Sequence, residues 1–166
     1  GRILRGEVFD TLVNPGCAIP VPSTKVHGIS DDMVREAPDI VAAGKDFHRY
    51  CDGGVLVAHN APFDMAFLRR DEKMIGHSFN HPVLCTVLLS AALYEHTGQH
   101  TLDALADRFG VSIPPELRHT ALGDAMATAE VFLQMISVME AAGIHTLGDA
   151  IAAGQRMTKI RKAQEY

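Results

Sequence analysis

Four consecutive apolar residues, Val55-Leu56-Val57-Ala58, stand between Gly53-Gly54 and His59-Asn60. A run this short and this sharply bounded predicts a strand covered on both faces, as in a parallel sheet. A helix should follow. Asn60 suits an N-cap, Pro62 a first turn where its missing N–H costs nothing, and Met65, Phe67 and Leu68 supply an apolar face. Asp64 then sits just beyond the carboxyl end of a strand, where ligands bind in open α/β sheets. The helix macrodipole alone would also favour an aspartate there, so position by itself does not separate a chemical role from a structural one.

A second stretch separates them. In Arg118-His119-Thr120-Ala121-Leu122-Gly123-Asp124 a histidine precedes an aspartate by five positions at the start of a long helical pattern. Leu122, Ala125, Ala129, Phe132, Leu133, Ile136 and Met139 recur at helical spacing and predict the face that packs on the core. Asp124 lies off that stripe, and His119 falls on the loop after Pro114-Pro115. Two carboxylates and a histidine that titrates near neutrality are the equipment of metal-assisted hydrolysis.

The remaining chain fills in an α/β domain. Glu7 to Val13 reads as a strand ended by Asn14-Pro15-Gly16, and 19–22 as an extended loop. Ser30 should cap a short helix, and Pro38-Asp39 should open one running to about Cys51. Arg69 to Lys73 reads as a solvated charged face. Pro82 to Thr86 looks like the last strand, with Leu88, Leu89, Ala92 and Leu93 on the helix after it. Thr101 and Gly110 bracket a further helix, Gly143 ends the long one, and 146–153 makes another. His96 and His100 are spaced for zinc on a helix, but Gly98 between them breaks that helix and disfavours the metal.

Composition limits the partners. With 166 residues, 47% of them hydrophobic, the chain can bury one sizeable core. A net charge of −5 gives no global attraction for nucleic acid, so contact with a polyanion must rest on local basic groups and metal ions. Cys17, Cys51 and Cys85 are odd in number and far apart, which fits a reducing cytoplasm better than a disulfide framework. No uninterrupted apolar run approaches the length of a membrane span, so no membrane partner is expected.

The string His59 to Asp64 matches H-N-A-x-F-D, and His119 to Asp124 matches H-x-x-x-x-D. In these motifs, and in Leu12 to Gly16, Val26 to Ile29 and Ala121 to Ala125, the sequence resembles the DEDDh 3′-to-5′ exonucleases. The proofreading epsilon subunit of bacterial DNA polymerase III typifies that family. The resemblance covers about residues 5–142. It implies a ribonuclease H-like α/β fold, a mixed sheet flanked by helices, with residues 1–154 as the exonuclease domain and 155–166 as a tail or linker. The implied reaction is hydrolysis of the terminal phosphodiester at the 3′ end of single-stranded DNA or RNA, in proofreading or repair, with a DNA polymerase or other attached domains as partners. Asp64 and Asp124 would be ligands of two Mg²⁺ or Mn²⁺ ions, His119 the general base, and Asn60, Phe63 and His27 substrate contacts.

The sequence departs from the family in one place that matters. The family's D-x-E strand is not found, and Gly1 to Gly6 resembles the approach to the third strand, so the first two strands are expected to lie outside this sequence. Glu7 and Asp10 are spaced E-x-x-D and would point to opposite faces of a strand, so they are not substitutes. Many relatives have aspartate where Cys85 stands. Two other readings follow from the missing pair: a nucleic-acid-binding or interaction module of the same fold without catalysis, or a metal phosphohydrolase acting on small nucleotides.

Overall fold

A computed structural model describes residues 1–117 and 120–164. They form two compact units, one of residues 1–3, 55–65 and 81 onward, the other of residues 4–54 and 66–80. The second unit carries helices α1 (Val21–His27), α2 (Asp31–Val34) and α3 (Ile40–Tyr50). Strand β1 (Leu56–Ala58) belongs to the first unit, and the division falls inside helix α4 (Ala61–Ile75). The first unit continues with β2 (Val83–Cys85), α5 (Thr86–Leu93), α6 (Leu102–Phe109), a 3-10 turn at Pro115–Leu117, α7 (Ala121–Ala141), α8 (Leu147–Arg156) and α9 (Thr158–Gln164).

In the first unit β1 and β2 run parallel, with Leu56 opposite Val83, Val57 opposite Leu84 and Ala58 opposite Cys85. The helices around this small sheet make the α/β architecture expected from the apolar run at 55–58. Leu89 and Leu105 meet Val131, Met135 and Met139 of α7 and Ala150 of α8 in one buried cluster. Each large side chain so buried contributes roughly 1.5–3 kcal/mol of transfer free energy. A second cluster joins Ala61, Cys85 and Leu88 to Met157 and Ile160, so the stretch read as a tail or linker holds a helix that packs by its apolar residues.

Local signals set several boundaries. The Thr101 hydroxyl accepts from Ala104 N at the start of α6, and Gly110 closes it with φ 65°. Asp39 caps α3 by accepting from Ala42 N at 2.8 Å. Helix α8 carries a reciprocal capping box. Thr146 accepts from Asp149 N, and Asp149 accepts from Thr146 N at 2.9 Å. Thr146→Ala should therefore cost about 1 kcal/mol and lower the melting temperature by about 2–4 °C, measurable by calorimetry.

Several sequence expectations are corrected. Residues 7–13 form no strand, because a strand exists only in a ladder and among the described residues no neighbouring strand pairs with them. Phe9 instead packs on the rings of Phe47 and Tyr50, centroids 5.7 and 5.6 Å away, and the Tyr50 hydroxyl donates to Glu7 O at 2.7 Å. The expected loop at 19–22 runs straight into α1, which begins after Pro20. Ser30 precedes α2 without a side-chain cap. Within the charged run 69–73, Asp71 is buried and receives both Arg70 Nε and Nη2, at 2.9 and 2.8 Å.

The buried face of α7 is also turned from the expected stripe. Gly123, Ala127, Thr128, Val131, Met135 and Met139 are buried, whereas Ala125 is exposed. A helix apolar almost all round leaves its phase unspecified by periodicity. By length and composition α7 could cross a membrane, contrary to the reading of the sequence, but here it is the central helix of the first unit's core. Phe132 and Ile136 face a cavity of about 410 Å³ that Val55, Val57 and Leu84 also line, which leaves β1 half-buried instead of covered on both faces.

Candidate active site

The parallel register determines what meets at the strand ends. Because Ala58 stands opposite Cys85, the next residues, His59 and Thr86, are neighbours where the two strands stop. The His59 Nδ1 lies 2.9 Å from Thr86 Oγ1. Asn60 then turns the chain with φ 64°, a left-handed conformation that asparagine tolerates better than other non-glycine residues, and α4 starts at Ala61. Its carbonyl accepts from Phe63 N at 2.9 Å. The side chain makes no cap: Asn60 Oδ1 is buried without a hydrogen-bond partner among the described residues. The expected N-cap is thus replaced by a left-handed turn.

Asp64 occupies the first turn of α4 on its exposed side, as the sequence indicated. Crowding by protein on the carboxylate's inner side pushes its pKa up, against an opposing pull from its own backbone N–H. Phe63 beside it is an exposed ring.

Asp124 enters from α7. Thr120 caps that helix by accepting from Gly123 N at 3.0 Å while its hydroxyl donates to Leu117 O at 2.8 Å, and Asp124 N donates to Thr120 O at 3.0 Å. A Cβ on Gly123 would overlap the Leu117 carbonyl oxygen, so glycine lets the 3-10 turn close directly onto the helix start. Asp124 is exposed, and its charge reaches His59. Burial lowers the His59 pKa, and Asp124 raises it in part.

Asp64, Phe63, Asn60 and Asp124 accordingly share one unit, whereas His27 belongs to the other. The His27 Nδ1 accepts from Ile29 N at 3.0 Å at the end of α1. His119 lies outside the described residues. Sequence reasoning passed over His59 and Thr86 as a pair. Counting forward from the strand register, which was not fixed in advance, would have found them.

As a donor set, two exposed carboxylates with the unpartnered Asn60 oxygen in the same unit suit a hard divalent cation. Among the described residues no group of three His, Cys, Asp or Glu could hold a metal ion. In the segment that carries His96 and His100, the His100 Nδ1 lies 2.9 Å from Ser90 Oγ, which Arg108 also contacts at 3.2 Å.

Comparison with known proteins decides the family. Residues 1–132 match the RNase T family model, whose description is exonuclease. The chain belongs to this exonuclease family. It is 54% identical over 162 residues to a DNA polymerase III subunit epsilon-like protein of Rhodobacter capsulatus, across 98% of this chain and 22% of that protein. Against the DNA polymerase III subunit epsilon of Pasteurella multocida it is 34% identical, across 81% of this chain and 54% of that one. A solved structure of exonuclease X in complex with 5′ overhanging duplex DNA superposes with a TM-score of 0.62 at 26% identity, covering 86% of this chain and 78% of the other. The chain thus spans about a fifth to a half of the length of these curated relatives.

Proposed function

We propose that the intact protein is a metal-dependent 3′-to-5′ exonuclease that removes nucleoside 5′-monophosphates from the 3′ end of single-stranded DNA or RNA. The observation that supports this is that both motifs fall in one unit, with Asp64 in the first turn of α4 just after β1 and Asp124 in the first turn of α7. Asp64 and Asp124 would hold part of the coordination of Mg²⁺ or Mn²⁺. Two such ions supply a water of lowered pKa and offset charge on the departing 3′ oxygen. His119 takes the proton from the attacking water. Phe63 packs on the terminal nucleotide, Asn60 shapes the loop that presents Asp64, and His27 contributes a further contact.

We place the exonuclease domain at 1–154 and a C-terminal segment at 155–166, in a cytoplasmic protein that works beside a DNA polymerase in proofreading or repair. Relatives named as polymerase III subunits support that setting. An inactive binding module is the second reading, favoured by the absence of a three-residue metal cluster among the described residues. The polarity is tested with two oligonucleotides that differ only in a 3′-terminal phosphorothioate. The unblocked strand should shorten in Mn²⁺ and the blocked strand should resist; equal shortening of both would overturn the proposal.

A further inference from the structure

Four of the chain's 15 lysines and arginines, Arg156, Lys159, Arg161 and Lys162, fall within residues 156–162, and no acid interrupts the sequence from Ala150 to Gln164. In a chain of net charge −5 this is a local reversal of sign. All four residues are exposed. Arg35, Arg49 and Arg70 each pair with a nearby carboxylate, of Asp32, Asp46 and Asp71. Among the described residues no such ion pair occupies the four, so their charge is available to a partner. The other side of α9 is anchored. Met157, where α8 meets α9, and Ile160 pack in the cluster of Ala61, Cys85 and Leu88, and Gln164 Nε2 donates to Cys85 Sγ at 3.5 Å. Positions 157, 160 and 164 recur at helical spacing, which turns Lys159 and Lys162 outward. Cys85 ends β2, and Ala61 begins α4, whose first turn holds Asp64. The cations therefore stand on a fixed helix beside the carboxyl ends of the two strands.

We propose that α9, with Arg156 just before it, is a contact for the phosphate backbone of the nucleic-acid strand whose 3′ end is cleaved. The inference rests on the exonuclease reading and adds to it: Asp64 and Asp124 serve the terminal phosphodiester, and the α9 cations hold phosphates further along the same strand. Contacts of this kind position a strand without reading its sequence. They also let a chain of negative net charge hold a polyanion, because each neutralised phosphate releases condensed counterions. On a single strand each one contributes about −0.7 to the slope of log affinity against log salt.

The test is fluorescence anisotropy of a 5′-fluorescein single-stranded oligonucleotide, blocked at its 3′ end by a phosphorothioate, titrated with the full-length protein at fixed Mn²⁺ and rising NaCl. Lys159→Gln with Lys162→Gln should make the salt slope shallower by about 1.4 and weaken binding about 25-fold at about 0.1 M NaCl, converging on wild type near about 1 M. The melting temperature should not change, since both side chains lie off the packed side. Lys45→Gln with Lys73→Gln removes the same charge from exposed positions on α3 and α4 and should keep the wild-type slope. An α9 pair with the wild-type slope, or a control pair that loses as much as the α9 pair, would overturn the proposal. Should the α9 pair fail to fold, Arg156→Gln is read by the same titration, with a slope shallower by about 0.7 expected and an unaltered slope contradicting it. A wild-type protein that binds no oligonucleotide would remove the exonuclease reading together with this proposal, whereas wild-type binding with an unaltered slope in the α9 pair would remove only the role of α9.

Discussion

Asp64→Ala and Asp124→Ala, each made in the full-length protein, should lower metal-dependent cleavage by at least about a thousandfold. The magnitude follows from the several kcal/mol that metal ions contribute to a developing charge, with each 1.36 kcal/mol worth a factor of ten. Neither change should cost much stability. Both side chains are exposed, and neither belongs to the buried clusters of the first unit. A single-turnover rate beside a melting curve measures both quantities. Loss of rate with an unchanged melting temperature is the expected pair, and unchanged rates in both variants would refute the site.

His119→Ala is expected to slow the reaction by about a hundredfold to ten-thousandfold, the usual span for a lost general base, while Mn²⁺ affinity stays near wild type. The separation of rate from affinity is what distinguishes this residue from the two aspartates. A His119→Ala variant that bound Mn²⁺ as poorly as Asp124→Ala would place the histidine among the ligands instead. The pH profile gives an independent check: the wild-type rate should fall on the acid side as the base protonates, and the variant should lose that limb.

How much of this could be read in advance depends on what each residue's role requires. Caps are local, so Thr101, Asp39 and Gly110 announced their helix ends, and the short apolar run at 55–58 announced a parallel strand. The places of Asp64 and Asp124 in the first turns of their helices were legible because each follows such a boundary by a few residues. What failed depends on the rest of the molecule. Glu7 to Val13 has strand composition but no ladder among the described residues, and Phe9 is held by Phe47 and Tyr50, far along the chain. The phase of α7 was lost because a helix with apolar residues on every side takes its orientation from neighbours such as Leu89 and Leu105. Asn60 has the composition of an N-cap and the backbone of a left-handed turn, a difference that only φ reveals. The pairing of His59 with Thr86 needed the register of β1 against β2.

The measurement that bears most directly on the central claim is Mn²⁺-dependent release of mononucleotides from a 5′-labelled single-stranded oligonucleotide by the full-length protein, with Asp64→Ala in parallel. The account predicts a ladder that shortens from the 3′ end, requires Mn²⁺ and vanishes in the variant. A full-length protein that leaves the strand intact in Mn²⁺, or an Asp64→Ala variant that shortens it at the wild-type rate, would contradict it.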